Sequence, residues 1–142
     1  MVFPVPGHTA IGTPYHRLGK IWKVGHHTGV DFPCPKGSKV VAARAGKVLH
    51  VGWNTEGPLG YGPAYGFHVI VIHQDNTTAL YAHLTNASVK VGQHVKTGQR
   101  LGSSGDTGHT FGPHLHFEVR KRPWLYGSDI NPMPTVKFQE PA

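Results

Sequence analysis

A chain of 142 residues has the length of one domain with a single core, and it contains no apolar run long enough to cross a bilayer as a helix. Nineteen glycines and twelve prolines, with few charged residues, exclude an architecture of long helices and favour short strands joined by tight turns. Fourteen Lys and Arg against seven Asp and Glu give a formal charge of +7, which favours polyanionic surroundings. The basic residues run from Arg17 to Lys137 without a basic and aromatic surface motif, so nucleic-acid binding is not expected.

Residues 1 to 26 read as a Pro/Gly-punctuated lead-in that leaves Tyr15, His16 and Trp22 at least partly exposed. It lacks the basic start and apolar stretch of a secretory signal, so the chain is expected to be made without one or to be a mature fragment. In "GHHTGVDF", His27 and Asp31 stand four apart, with Gly29 between them and Pro33 beyond, which predicts an extended or turn geometry. Cys34 is the sole cysteine, so no intramolecular disulfide forms and a small buried residue is expected.

Strand character then alternates with glycine turns over 38–43, 46–52, 67–73, 78–84, 89–95 and 113–120. The expected fold is all-β, a twisted antiparallel sheet core with glycine-rich loops around an open cleft, and no helix is predicted. Two loops interrupt the strands, "WNTEGPLGYGPAYG" (53–66) and "GSSGDTGHTFG" (102–112). A rigid sheet commonly carries its functional residues on such loops.

In "PHLHFEVR" the strand period of two puts His114, His116 and Glu118 on one face, with Leu115, Phe117 and Val119 on the other. Spacing alone does not decide whether both histidines bind metal, one does, or neither. The same period pairs Tyr81 with His83 and sets Leu80, Ala82 and Leu84 opposite. An imidazole and a carboxylate from His27 and Asp31, joined by one further histidine, would form a zinc-type donor set with a fourth position open to water. HExxH is absent, so histidine is the expected general acid or base, and no paired carboxylates support glycosidase chemistry. Glu118 either orients one of the imidazoles or makes a surface salt bridge.

The ordered segments "HHTGVDF", "GSKVVAARAGKVLHVG", "GFHVIVIHQDNTTALYAHL", "VKVGQHVKTGQRLGSSGDTG" and "GPHLHFEV" resemble the LytM/lysostaphin-type zinc endopeptidases of peptidoglycan, family M23. The resemblance covers about residues 20–120 of what is expected to be a single metallopeptidase domain, 1–142. It implies one Zn2+ per chain on His27, Asp31 and His116, with His83 and His114 as the catalytic histidines. His114 would take the water proton, while His83 would serve the oxyanion and the leaving amine, with exchange or sharing of the two roles left open. Tyr15, Trp53, Tyr61 and Tyr65 become candidates to line a peptide groove. The implied partners are peptidoglycan peptide and, through charge, anionic wall polymers; a monomer with no membrane span is expected. A phage endolysin domain released at host lysis, or an excised secreted lysin domain, fits these features. A wall D,D- or D,L-carboxypeptidase and a non-catalytic wall-binding module are the competing readings.

Overall fold

Strand character begins at Val30, where alternating burial of Val30 and Phe32 commits the chain to one face of a sheet. The computed structural model describes residues 1–16, 18, 28–53, 65–108, 110, 112–122, 124 and 128–132. The expectations for Trp22, His27 and Tyr61 lie outside the described residues.

The described strands are β1 (Val30–Pro33), β2 (Lys39–Val41), β3 (Gly46–Gly52), β4 (Phe67–Ile72) and β5 (Thr78–Ala87), followed by β6 (His94–Val95), β7 (Arg100–Ser104), β8 (His114–Arg120) and β9 (Asp129–Ile130). They form an open sheet in the order β1-β8-β5-β4-β3-β6, in which every pairing is antiparallel. β2 pairs with β7, which also pairs with β5, and β9 extends β8. This is the expected all-β antiparallel core. Among the described residues there is no α-helix, and no helix is long and apolar enough to cross a membrane.

One face carries the main core. Register aligns Val30, Phe117, Tyr81 and Val69 across β1, β8, β5 and β4, and all four are buried. The Tyr81 hydroxyl accepts a 2.8 Å hydrogen bond from the Ala43 amide, so even the polar tip of this row is satisfied. The opposite face aligns Asp31 with His116 and Ala82, and on the next rung Glu118 with Leu80 and Ile70. The lead-in is pinned to the sheet margin by Val2 N–H to Ala43 O and Val41 N–H to Pro4 O, both short, and Val5 is buried. Cys34 is buried, as its size predicts.

The structure corrects three local readings. Of the stretch 89–95 only His94 and Val95 are strand, because Lys90 to Gln93 close a turn with Gly92 at φ 90°. The loop expected at 102–112 begins inside a strand, β7, whose Gly102 lies against β5 so closely that a Cβ would stand 2.2 Å from Asn86 O. A strand selected for close backbone approach lacks the β-branched residues that advertise one. The third correction concerns His83, which does not share a face with Tyr81. Between the pairs Val69–Tyr81 and Phe67–Leu84, the single residue His68 faces two residues, Ala82 and His83. That is a β-bulge, and His83 takes the left-handed backbone conformation at φ 62°. Regular alternation would have sent its ring into the core beside Tyr81; the bulge turns it to the face of His116.

Candidate metal centre and catalytic cleft

Asp31 and His116 are direct partners in the β1–β8 register, which brings Asp31 Oδ1 to 2.9 Å from His116 Nδ1. Asp31 Oδ1 also stands 3.6 Å from His114 Nε2, and both side chains are 17% exposed at the mouth of the site. The His116 ring lies over Gly29, where a Cβ would come within 2.9 Å of its Cε1 and Nε2 and 2.4 Å of Phe117 O. Glycine is therefore required one residue before β1, so that backbone and ring can pass.

Behind His116, the fully buried Glu118 gathers donors from several segments. Its Oε1 accepts hydrogen bonds from His116 Nε2 at 2.9 Å, Thr28 Oγ1 at 2.5 Å and the Tyr65 hydroxyl at 2.9 Å, while Arg120 Nε donates to Oε2. Burial pushes the Glu118 carboxyl up, but the hydrogen bond from His116 and the Arg120 charge outweigh it and hold the group at about 2. Burial lowers His116, but its bonds to Asp31 and Glu118 prevail and raise it to about 9. Of the two sequence alternatives for Glu118, the buried one is realised: it orients an imidazole and is not on the surface.

His83 and His114 stand beside this pair, with ring centroids 4.7 Å apart and His83 6.2 Å from His116. His83 Nδ1 lies 2.6 Å from Thr107 O, and His114 Nδ1 lies 2.9 Å from Gly112 O. A carbonyl only accepts, so both rings carry their proton on Nδ1 and turn an Nε2 lone pair outward in the neutral state. Thr107 is itself fixed, its Oγ1 donating to Leu84 O and accepting from the Phe67 amide. Burial, followed by the neighbouring His116, pushes His83 down to about 3.

The aromatic candidates separate in space. Trp53 is exposed at the end of β3 and meets Phe67 edge-on at 5.9 Å. Tyr15 is half-buried and donates to Asp129 Oδ2 at 2.7 Å. Tyr65 is buried, with its ring 5.4 Å from His116 and its hydroxyl on Glu118. Residues outside the sequence reading also contribute. Arg120 could have been found by carrying the His114, His116, Glu118 alternation one step further, whereas the Thr107 and Gly112 carbonyls leave no side-chain signal.

Among the described residues no group of three or more His, Cys, Asp or Glu side chains forms a metal cage. Two of the three expected ligands, Asp31 and His116, nevertheless converge, and His27 lies outside those residues. Their chemistry fits zinc. Nδ1 of His116 donates to the Asp31 carboxylate and Nε2 to Glu118; with the Nε2 proton kept toward Glu118, Nδ1 is the nitrogen that would exchange its proton for a metal, and an imidazole and a carboxylate are ordinary zinc donors.

The neighbouring His68 gives this face a pH response. It is fully buried, stacks on His50 at 4.6 Å, donates to Gly66 O, and is pushed down to about 4 chiefly by burial. Between pH 6.5 and 4 the unfolded chain binds the proton and the folded one resists it. The contribution is present above the unfolded value and is lost as pH falls, by on the order of 3 kcal/mol. Urea unfolding of metal-free protein should therefore show a shallower loss of stability over this range in His68→Leu than in the wild type. An unchanged slope would contradict the assignment.

The model of peptidase family M23 matches residues 25–132. A protein named as an uncharacterized metalloprotease from Haemophilus influenzae is 33% identical over 139 residues, covering 96% of this chain and 27% of that protein. Lysostaphin of Staphylococcus simulans is 37% identical over 114 residues, covering 80% of this chain and 22% of that protein. The structure of the catalytic domain of this antimicrobial peptidase matches with a TM-score of 0.78 at 34% identity, covering 90% of this chain and 92% of that domain. The chain thus spans about a quarter of the length of the two whole proteins and nearly all of the solved catalytic domain. With the fold, the family model and the identity in agreement, the chain belongs to peptidase family M23, the lysostaphin/LytM-type zinc endopeptidases.

Proposed function

We propose that residues 1–142 act as one catalytic domain, a zinc-dependent endopeptidase hydrolysing amide bonds in the stem or crossbridge peptides of bacterial peptidoglycan. The observation that carries this reading is the convergence of two Nδ1-anchored histidines, His83 and His114, on the Asp31–His116 pair. His27, Asp31 and His116 would hold one Zn2+ per chain. Bound there, zinc supplies Lewis acidity toward the scissile carbonyl and a lowered pKa for the attacking water.

The protein's own groups handle the protons. His114 has its Nδ1 proton committed to Gly112, so a proton taken from water must settle on Nε2, the edge near Asp31 and the reacting atoms. From that atom it is available to the leaving amine. His83 offers a second Nε2 with the same tautomer and can take the water proton in place of His114; carrying it, the ring donates to the developing oxyanion or to the amine, so the two histidines can share or exchange these roles. Water is the nucleophile, and no acyl-enzyme forms.

Trp53, Tyr15, Tyr61 and Tyr65 are the proposed groove residues; among the described ones, Trp53 is the one mostly exposed. The proposed place of action is the bacterial wall. Attraction to anionic wall polymers draws support from the β3–β6 margin: Lys47 and His94 are cross-strand partners, Lys90 and Lys96 flank them, and these exposed lysines pair with no described acidic group.

Zinc-loaded protein incubated with crosslinked peptidoglycan is expected to release new amino groups and no reducing sugar ends, with mass spectrometry of the fragments identifying the bond. Release of free D-alanine alone would favour the carboxypeptidase reading. Wall binding without cleavage across walls of several peptide chemistries would defeat the enzyme claim.

A further inference from the structure

We infer that Glu118 is a positioning residue that braces the metal centre from behind, holding both ligand-bearing strands at once: β8 through His116 Nε2, and β1, which carries Asp31, through the Thr28 hydroxyl at its entry. The inference rests on the zinc-site reading above and extends it to residues that hold no metal. Oε1 of Glu118 receives three donors that enter from β8, from Thr28 before β1 and from Tyr65 before β4. Thr28 Oγ1 and the Tyr65 hydroxyl also lie 3.4 Å from each other, so the three donors form one cluster. Thr28 is 2% exposed, and both Glu118 and Arg120 are fully buried.

A buried carboxylate persists only when it is paired and hydrogen-bonded, and Arg120 supplies the charge on Oε2. That pairing leaves Oε1 free for positioning. The Thr28 bond matters most because Thr28 stands three residues before Asp31, at the entry to β1, so anchoring its side chain steadies the stretch of chain that carries the carboxylate ligand. The same oxygen that accepts the Nε2 proton of His116 therefore also anchors the stretch that enters β1 and carries Asp31. An acceptor behind a ligating histidine is a usual device, whereas one oxygen serving two ligand segments makes their spacing a single variable.

The test compares zinc affinity, measured by chelator competition, in wild-type protein, Thr28→Val, Thr28→Ser and Tyr65→Phe, with urea unfolding of the metal-free forms alongside. Thr28→Val keeps the shape and loses the donor, and it is expected to weaken zinc binding by about 10–100-fold. Thr28→Ser should restore most of that affinity. Tyr65→Phe removes a donor from the same oxygen without touching a ligand segment, and it should weaken zinc binding less than Thr28→Val. A purely structural role for Thr28 would lower urea stability and leave zinc affinity within about twofold of wild type, and that result overturns the brace while sparing the zinc site. Failure of the wild type to bind zinc overturns both readings, which keeps the two failures distinct.

Discussion

Turnover of crosslinked wall by His114→Ala is expected to fall by about 10²–10⁴-fold with one zinc retained per chain, whereas His116→Ala should lose zinc and turnover together. The two histidines are separated by one residue and share a strand face, yet their ring atoms face different partners. His116 has Nδ1 against Asp31 and its other nitrogen bound to Glu118, the arrangement of an oriented metal ligand. His114 has Nδ1 bound to the Gly112 carbonyl, so the working edge is Nε2, near Asp31 and outside that donor pair. Truncating His114 removes a proton acceptor and leaves the Asp31–His116 pair intact. Truncating His116 removes a ligand and also strips Glu118 of a buried donor, so some loss of stability should accompany the loss of metal. Zinc content after desalting, measured beside the cleavage rate, checks the pair. Equal zinc loss in both variants would contradict this division of labour.

At His83 the backbone and the ring are expected to separate under substitution. His83→Gly should lose a comparable factor in turnover while its stability stays within about 1 kcal/mol of wild type, because glycine accepts the left-handed conformation at φ 62° without penalty. His83→Val should lose the same turnover and a further 1–3 kcal/mol or so, because a β-branched residue resists that conformation. Both should bind zinc. Cleavage rates and urea midpoints of the two variants decide the matter, and equal stability would mean that the bulge relaxes. Strain at this residue has a stated function: it moves an imidazole from the core side of β5 to the cleft side.

Much of the sheet was legible from residue order. Strands β3, β4 and β8 fall within a residue of the stretches that predict them, because runs rich in β-branched and aromatic residues are bounded there by glycine, proline or turn residues, and β4 and β8 are buried on both faces. β7 was hidden because its last three residues are Gly, Ser and Ser, suited to close packing against β5 and not to strand propensity. Alternation correctly grouped His114, His116 and Glu118, yet it wrongly put Tyr81 on the face of His83, since periodicity fails where one extra residue enters a ladder. The role of Glu118 was only half legible: its face was readable, but its burial beneath Thr28, Tyr65 and Arg120 depends on contacts between residues far apart in the chain.

What the sequence determined by itself was the strand grammar, the inventory of imidazoles and carboxylates, and, through the order of its segments, the resemblance to family M23. Those are properties of residue identity and local spacing, and they survive without coordinates. Only the tertiary structure decided that Asp31 and His116 meet across a β1–β8 register, that a bulge turns His83 to join them, and that two backbone carbonyls fix which nitrogen of His83 and His114 is free to accept a proton. Cross-strand register and carbonyl direction are set by packing over the whole sheet, so no local pattern encodes them.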